Sequence, residues 1–270
     1  MKPVLIILAI IALVIIVGWV GFQIKPRPYP SLGAQPALKY VPLPADLPAP
    51  VERFYRTIYG DQVPLIETAV ITGRGTMQPV MAMPAFQARF TFQHQTGKNY
   101  RHFMELTWFG IPVAVGNEHY VDGVGVLDIQ PIGVSSGEKV NQGANLALWA
   151  EAVLMPSVWV TDPQARWEAV DDHTAILVVP FEGQEERMIM RFDPASGLLT
   201  HLEAMRWRDD TDQEKKLWID EAVDWVMEDG MAYPRIGKVT WFDQGKAWAV
   251  FEAEEVRYNV EIGDINRNGW

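Results

Sequence analysis

The chain contains no cysteine. That absence removes disulfides, thiol nucleophiles, zinc–thiolate sites and a lipidated N-terminal cysteine. Positive charge is also short: 23 Lys and Arg stand against 34 Asp and Glu, a formal net charge of −11. A nucleic-acid partner needs a basic face to meet phosphate, so this deficit argues against one. Histidine is sparse, with five at positions 94, 102, 119, 173 and 201. They read as scattered over separate hairpins, and none has the H-x-x-x-H or H-E-x-x-H spacing that puts two ligands on one helix face. The acidic run Asp209-Asp210-Thr211-Asp212 lacks the glycine of a calcium loop. No metal and no cofactor is expected.

Apolar residues are plentiful, at 49% of the chain, and there are 11 tryptophans. Residues 4–24 read VLIILAIIALVIIVGWVGFQI, with Lys2 before them and Lys25 and Arg27 after. At about 1.5 Å per residue such a helix spans roughly 30 Å, the thickness of a bilayer's hydrocarbon core. The rival is a cleaved signal peptide, disfavoured by the length of the run and the lack of a small-residue cleavage site after it. Residues 1–24 are therefore read as a transmembrane anchor. The short leading tail favours an N-terminus inside and a globular domain on the outer, periplasmic side of the cytoplasmic membrane.

Residues 25–46 follow as a proline-rich stalk. Eight prolines fall between Lys25 and Pro50, and proline at this density favours an extended, semi-rigid spacer. About twenty polyproline-like residues would hold a domain roughly 60 Å from the membrane. Residues 47–262 read as one globular domain and 263–270 as a tail.

The domain opens with a short amphipathic helix in which Val51, Phe54, Tyr55 and Ile58 share a face and Gly60 supplies the stop. Strand patterns come next. FQARFTFQHQ, residues 86–95, alternates Phe86, Ala88, Phe90 and Phe92 with polar residues. Met188, Met190 and Phe192 share a face in another strand. LWIDEAVDWVM, residues 217–227, sets Leu217, Ile219, Val223, Trp225 and Met227 together, with Asp220 and Asp224 opposite. Turn signals such as Thr96-Gly97-Lys98-Asn99 separate these runs. About ten strands can be drawn, mostly hairpin-linked and so antiparallel.

ANLALWAEAVLMP, residues 144–156, breaks the rhythm. Leu146, Trp149, Val153 and their neighbours cover nearly the whole circumference, leaving Asn145 and Glu151 as the polar members. A helix apolar all round is buried on more than one side, and the concavity of a curved sheet offers such a place. The loop before it, Gly133-Val134-Ser135-Ser136-Gly137, fits the G-x-S-x-G pattern of a nucleophile elbow. A triad of Ser135, Asp172 and His173 or His201 can be written on paper. The strand-to-helix turn that the motif needs is missing, because residues 138–142 intervene, so the serine is read as a loop residue.

Several ordered blocks, VDGVGVLDIQPIGVSSGEKVNQGANLALWAEAVLMPSVW, ARWEAVDDHTAILV and FDPASGLLTHLEAMRWRD, together with ITGRGTM at residues 71–77, resemble a family of uncharacterised bacterial membrane-anchored proteins. Asp122-Gly123-Val124-Gly125, Gln142-Gly143 and Glu151 match its pattern. The resemblance implies a mainly β (α+β) fold similar to the periplasmic lipoprotein carriers of the LolA and LppX type. In that fold a curved antiparallel half-barrel wraps over two short helices and encloses an apolar cavity. It implies no established activity.

The function expected is that of a membrane-tethered, non-enzymatic protein holding a lipid, acyl chain or other hydrophobic ligand. The alternative is a solid-core envelope interaction module, and a serine hydrolase built on Ser135 ranks third. Candidate cavity residues are Phe90, Phe92, Leu146, Trp149, Glu151 and Val153, together with Met188, Met190 and Trp225. Glu151 needs a cation if it is buried, and Arg74 and Arg101 are its candidate partners. No protein partner is indicated.

Overall fold

A computed structural model describes residues 2–79 and 82–263 of the chain. Of the tail read at 263–270, positions 264–270 lie outside the described residues. The elements in chain order are α1 (Lys2–Gly21), β1 (Tyr40–Pro42), α2 (Ala49–Ile58), β2 (Gln62–Pro64), β3 (Thr68–Met77), β4 (Phe86–Gln95), β5 (Asn99–Trp108), β6 (Ile111–Val121), β7 (Val124–Gln130) and β8 (Gly133–Ser136). Then come α3 (Glu138–Ala150), a 3-10 turn (Glu151–Leu154), α4 (Val158–Thr161), β9 (Arg166–Ala169), β10 (Thr174–Phe181), β11 (Gln184–Phe192), β12 (Leu199–Arg206), β13 (Lys216–Glu228), β14 (Met231–Trp241), a second 3-10 turn (Phe242–Gln244) and β15 (Ala247–Tyr258).

Thirteen strands form one antiparallel sheet in the order β8-β7-β6-β5-β4-β3-β15-β14-β13-β12-β11-β10-β9, and β1 and β2 pair separately. The sequence pattern suggests about ten. The surplus includes β8 and β9, four residues each, which are too short to display an alternation. Their shortness also blunts the sheet's two edges.

The topology explains the helix. From β3 the chain steps outward hairpin by hairpin to the edge strand β8, and it next enters the sheet at β9, the opposite edge. The connection must cross from one wing to the other, and α3, the 3-10 turn and α4 make that crossing inside the curve. Every residue from Gln142 to Ala150 is buried, and α3 packs on β6, β7, β8, β10 and β12. Seven more strands then return to pair β15 with β3. The mainly β, curved antiparallel fold with an apolar N-terminal helix agrees with the sequence expectation, and α2 and α3 are the two helices it called for.

Two glycines let α3 sit this close. A Cβ on Gly125 of β7 would lie 2.9 Å from Ala144 Cβ and 3.0 Å from Val140 O. One on Gly143 would lie 3.0 Å from Arg206 Nη2 and 3.3 Å from Trp207 O. Gln142 beside it accepts from Trp207 N at 3.2 Å and donates to Glu186 Oε1 at 2.9 Å and Met205 O at 3.1 Å. The Asp-Gly and Gln-Gly blocks are thus docking devices for the helix.

α2 buries Val51, Phe54, Tyr55 and Ile58 as its spacing implies. Phe54 meets Tyr55, Phe192 and Trp225 at ring-centroid distances of 5.1, 5.6 and 5.3 Å.

Two expectations require correction. In β13 the buried face is Trp218, Asp220 and Ala222, while Leu217 and Ile219 are only partly covered. Asp224, at φ 56°, interrupts the ladder between the Val223–Ile236 and Trp225–Pro234 pairs. That shifts the inward phase by one residue, so a single alternation read across the strand puts Asp220 on the wrong side.

The proline-rich segment is extended but does not stand free as a spacer. Its backbone lies against the outer face of β3, β4, β5 and β15. Arg74 donates to Pro26 O at 3.2 Å, Arg257 to Gly33 O at 2.7 Å and Leu32 N to Glu255 at 2.9 Å, while Tyr258 N and O bond the Gln35 side chain. Arg89 stacks 4.7 Å over Tyr29. Prolines leave carbonyls without local donors, and the arginines of the sheet supply them.

Candidate functional site

The inward phase of β4 runs Ala88, Phe90, Phe92 and continues into His94. That of β5 runs Tyr100, His102, Met104, Leu106. The register pairs Phe92 with His102 and His94 with Tyr100. The two histidines are therefore diagonal neighbours on the concave face of one hairpin, not scattered, and both are 2% exposed or less. The hairpin next door brings Glu118 of β6 opposite His102.

Glu151 arrives from above. Pro156 has no N–H and forces Met155 out of the helical region, to φ −147° and ψ 58°. α3 consequently ends at Ala150 and tightens into the 3-10 turn that begins with Glu151. The carbonyls freed by this termination are each taken by a buried donor: Trp159 Nε1 on Trp149 O at 2.8 Å, Tyr258 Oη on Leu154 O at 2.6 Å and Tyr55 Oη on Pro156 O at 2.6 Å. Three separate elements thus fix the turn that carries the carboxylate.

Glu151 Oε2 lies 2.7 Å from His102 Nε2 and 3.1 Å from His94 Nε2. Neither approach has hydrogen-bond geometry, and these three atoms are buried without a hydrogen-bond partner. His102 Nδ1 faces Glu118 Oε2 at 3.9 Å, and Glu118 accepts from Tyr100 Oη at 2.6 Å. Burial pulls His102 down, but the Glu151 and Glu118 carboxylates together outweigh it and raise the imidazole above its usual value. Burial lowers His94, with Glu151 opposing. Burial would raise Glu151, yet His102 and His94 hold it below the ordinary carboxylate range.

Beside the cluster, between the 3-10 turn and the sheet, is a cavity of about 70 Å³. Phe90, Phe92, Val153, Leu202, Val239 and Phe251 form apolar wall, and Glu151 and Asp220 are among its polar members. Burial, then the nearby Glu151 charge, push Asp220 up to about 8, with Arg206 opposing. Arg206 lies over the rings of Trp218 and Trp241 at 4.6 and 5.6 Å, and its Nε is buried without a hydrogen-bond partner.

Of the sequence candidates, Phe90, Phe92, Glu151 and Val153 come together at this cavity. Leu146, Trp149, Met188 and Met190 are fully packed core, and Trp225 packs on Phe54 while its indole donates to Leu199 O. Glu151 is met by His94 and His102 instead of the two arginines. Arg74 pairs with Glu254 at 2.5 Å and Arg101 bonds Asn117 at 3.2 Å. Both arginines sit on the strand phase opposite the histidines and point to the other face of the sheet. Ser135 lies on edge strand β8 opposite Leu127, and Asp172 and His173 occupy the β9–β10 turn at the other edge of the strand order. Contrary to expectation, residues 138–142 do not intervene before the helix but form its first turns, since α3 begins at Glu138. What argues against the serine is that, among the described residues, no hydrogen bond joins Ser135 to a histidine, and that Asp172 and His173 lie at the other edge of the strand order.

His94, His102, Glu118, Asp220 and Arg206 were not legible as site residues. The available signal was phase: a histidine in register with buried phenylalanines is itself buried.

Residues 38–253 match the model of a family of unknown function, DUF6544. The chain belongs to that family. No curated protein matches it in sequence. Among solved structures it is similar to a putative outer membrane lipoprotein-sorting protein domain from Vibrio parahaemolyticus, at 9% identity and TM-score 0.43, covering 80% of this chain and 93% of that one. It is also similar to a LolA superfamily protein from Nitrosomonas europaea, at 8% identity and TM-score 0.46, over 79% and 93% of the two chains. A DUF1329 family protein from Desulfovibrio piger matches at 12% identity and TM-score 0.42, over 74% and 88%. α1 is long and apolar enough to cross a membrane and is almost wholly exposed.

Proposed function

We propose that this protein is a membrane-tethered, non-enzymatic binding protein that receives the apolar part of a lipid or other hydrophobic ligand in its half-barrel. The observation that carries the reading is the cavity between the 3-10 turn and the sheet, with apolar walls and a polar part made by Glu151, Asp220, Glu221 and Arg235. Ligand pockets run to about 300–1,000 Å³, so at 70 Å³ the cavity as it stands is too small for an acyl chain. Entry of an acyl chain requires Val153 and Leu154 to move away from the sheet.

In this reading α1 anchors the domain in the cytoplasmic membrane, with the bowl on the outer side and close to the bilayer. Phe109 N bonds Gly21 O at 2.8 Å and Trp108 Nε1 bonds Gly18 O at 3.0 Å, so the β5–β6 hairpin grips the end of the anchor. That hairpin exposes Trp108, Ile111 and Val113, and the β7–β8 turn, at the same end of this wing, exposes Ile132. Apolar tips with a tryptophan beside a membrane helix suit the headgroup region.

The cavity's small volume favours a second reading, a closed module whose surface binds another envelope protein. Native mass spectrometry of the full-length protein released from detergent micelles separates the two. A bound lipid mass is expected in the wild type and its loss in Ala253→Leu, which fills the cavity wall. A lipid-free wild type that also leaves a fluorescent fatty acid unbound sinks the carrier reading.

A further inference from the structure

We propose that His94, His102 and Glu151 form a binding site for one divalent first-row transition-metal ion of the zinc class. This site stands independently of any hydrophobic ligand. The three donor atoms lie within 4.8 Å of one another. They come from three elements, β4, β5 and the turn after α3, all held by the packing described above. Two imidazoles and a carboxylate are the donor set that borderline divalent ions prefer, and with no cysteine in the chain no thiolate competes.

The independent sign is polar bookkeeping. Buried polar atoms are nearly always hydrogen-bonded. Here His94 Nε2, His102 Nε2 and Glu151 Oε2 make no hydrogen bond and instead crowd one another as a bare charge contact, with no other hydrogen-bond partner among the described residues. In a four-coordinate zinc site, ligand atoms about 2.0–2.1 Å from the ion sit roughly 3.3 Å apart. The two nitrogens at 2.7 and 3.1 Å from Oε2 need small outward shifts to reach that spacing, and the two rings, whose nitrogens lie within 4.8 Å, must close on each other.

The surroundings are those of a metal-ligating histidine. The free ring nitrogen of such a residue normally faces a carboxylate, which fixes its tautomer and orientation. His102 Nδ1 looks toward Glu118 at 3.9 Å, one small shift short of a hydrogen bond, and Tyr100 holds Glu118 in turn. Stacking fixes the ring plane as well, with Tyr100 at 4.1 Å and Phe92 at 4.0 Å from the His102 centroid. Three side-chain ligands leave a fourth position for water or for a polar group of a bound molecule. Glu151 also lines the cavity, so the ion would stand at its wall.

The test is titration of chelator-stripped, full-length protein in detergent micelles with Zn²⁺ by calorimetry and with Co²⁺ by visible absorption. One equivalent is expected to bind, with intense Co²⁺ d–d bands of a low-coordinate nitrogen–oxygen site. His94→Ala and His102→Ala are expected to weaken uptake at least 100-fold, and Glu118→Gln about 10–100-fold, because the carboxylate no longer orients the His102 ring. His201→Ala, outside the cluster, should change nothing. The proposal is overturned if wild type shows no saturable uptake of one equivalent. It is equally overturned if a cooperatively melting His94→Ala/His102→Ala protein binds as wild type does. Should the alanine variants not fold, the wild-type Co²⁺ spectrum decides alone: a weak octahedral, water-like spectrum rejects the site.

Discussion

The two sides of the bowl are built from the same antiparallel ladder, yet one is filled with hydrocarbon and the other with ionisable groups. Under α2, Phe54, Tyr55, Met188, Met190 and Phe192 are all 3% exposed or less and make an unbroken apolar core. Under the turn that ends α3, the same inward strand phase carries His94, His102, Glu118 and Asp220, with Arg206 nearby. Burying charged groups generally costs more than packing apolar ones of similar volume. The first side therefore supplies stability, and the second spends some of it. A cluster of shifted ionisable groups beside a cavity is where a binding or chemical role concentrates.

The largest expected effect lies on the apolar side. Phe54→Ala removes a ring enclosed by three aromatic neighbours and should cost about 3–5 kcal/mol in denaturant unfolding. Metal uptake by the folded fraction should stay as in wild type. If uptake falls in proportion to stability, the two sides form one cooperative unit and the contrast drawn here fails.

An intermediate effect belongs to the seam between them. Gln142 ties α3 to β11 and β12 through three hydrogen bonds. Gln142→Ala removes the acceptor of the Trp207 N–H and the donor to Met205 O, while Glu186 keeps Lys215, and should cost roughly 1–3 kcal/mol. A thermal melt unchanged from wild type would mean that α3 is held by packing alone.

The apolar side was open to sequence reading and the polar side was not, for a physical reason. Periodicity reports which face of a strand is buried, and Phe90, Phe92, Met188 and Met190 announce that face by composition. His94 and His102 sit on the same face, but their meeting depends on the β4–β5 register and on a turn 49 residues beyond His102 in the chain. Glu151 stood out because it interrupts an apolar helix. Its partners did not, since arginine is the default cation in a sequence and the strand phase that excludes Arg74 and Arg101 becomes visible only with the register. The alternation of β13 puts Asp220 on the wrong face because the irregularity at Asp224 leaves no trace in the pattern.

Asp220 offers the smallest effect and the sharpest test of the polar side. Its folded pKa, about 8, lies above the ordinary aspartate value of 3.8 because burial and the Glu151 charge disfavour its ionised form, with Arg206 opposing. The native state consequently binds more protons than the unfolded chain between those two values. Stability contributed by this group falls as pH rises from about 4 and levels off above about 8. Asp220→Asn abolishes the titration while keeping the volume, so the variant should match wild type near pH 4 and exceed it above pH 8. Asp220 lines the cavity, and local relaxation around it discounts the penalty to a gain on the order of 1 kcal/mol. Thermal melts of metal-stripped protein at about pH 4.5 and about pH 8.5 measure it. An equal gain at both pH values would show that the aspartate is ionised throughout and that the polar side is wetter than its burial implies.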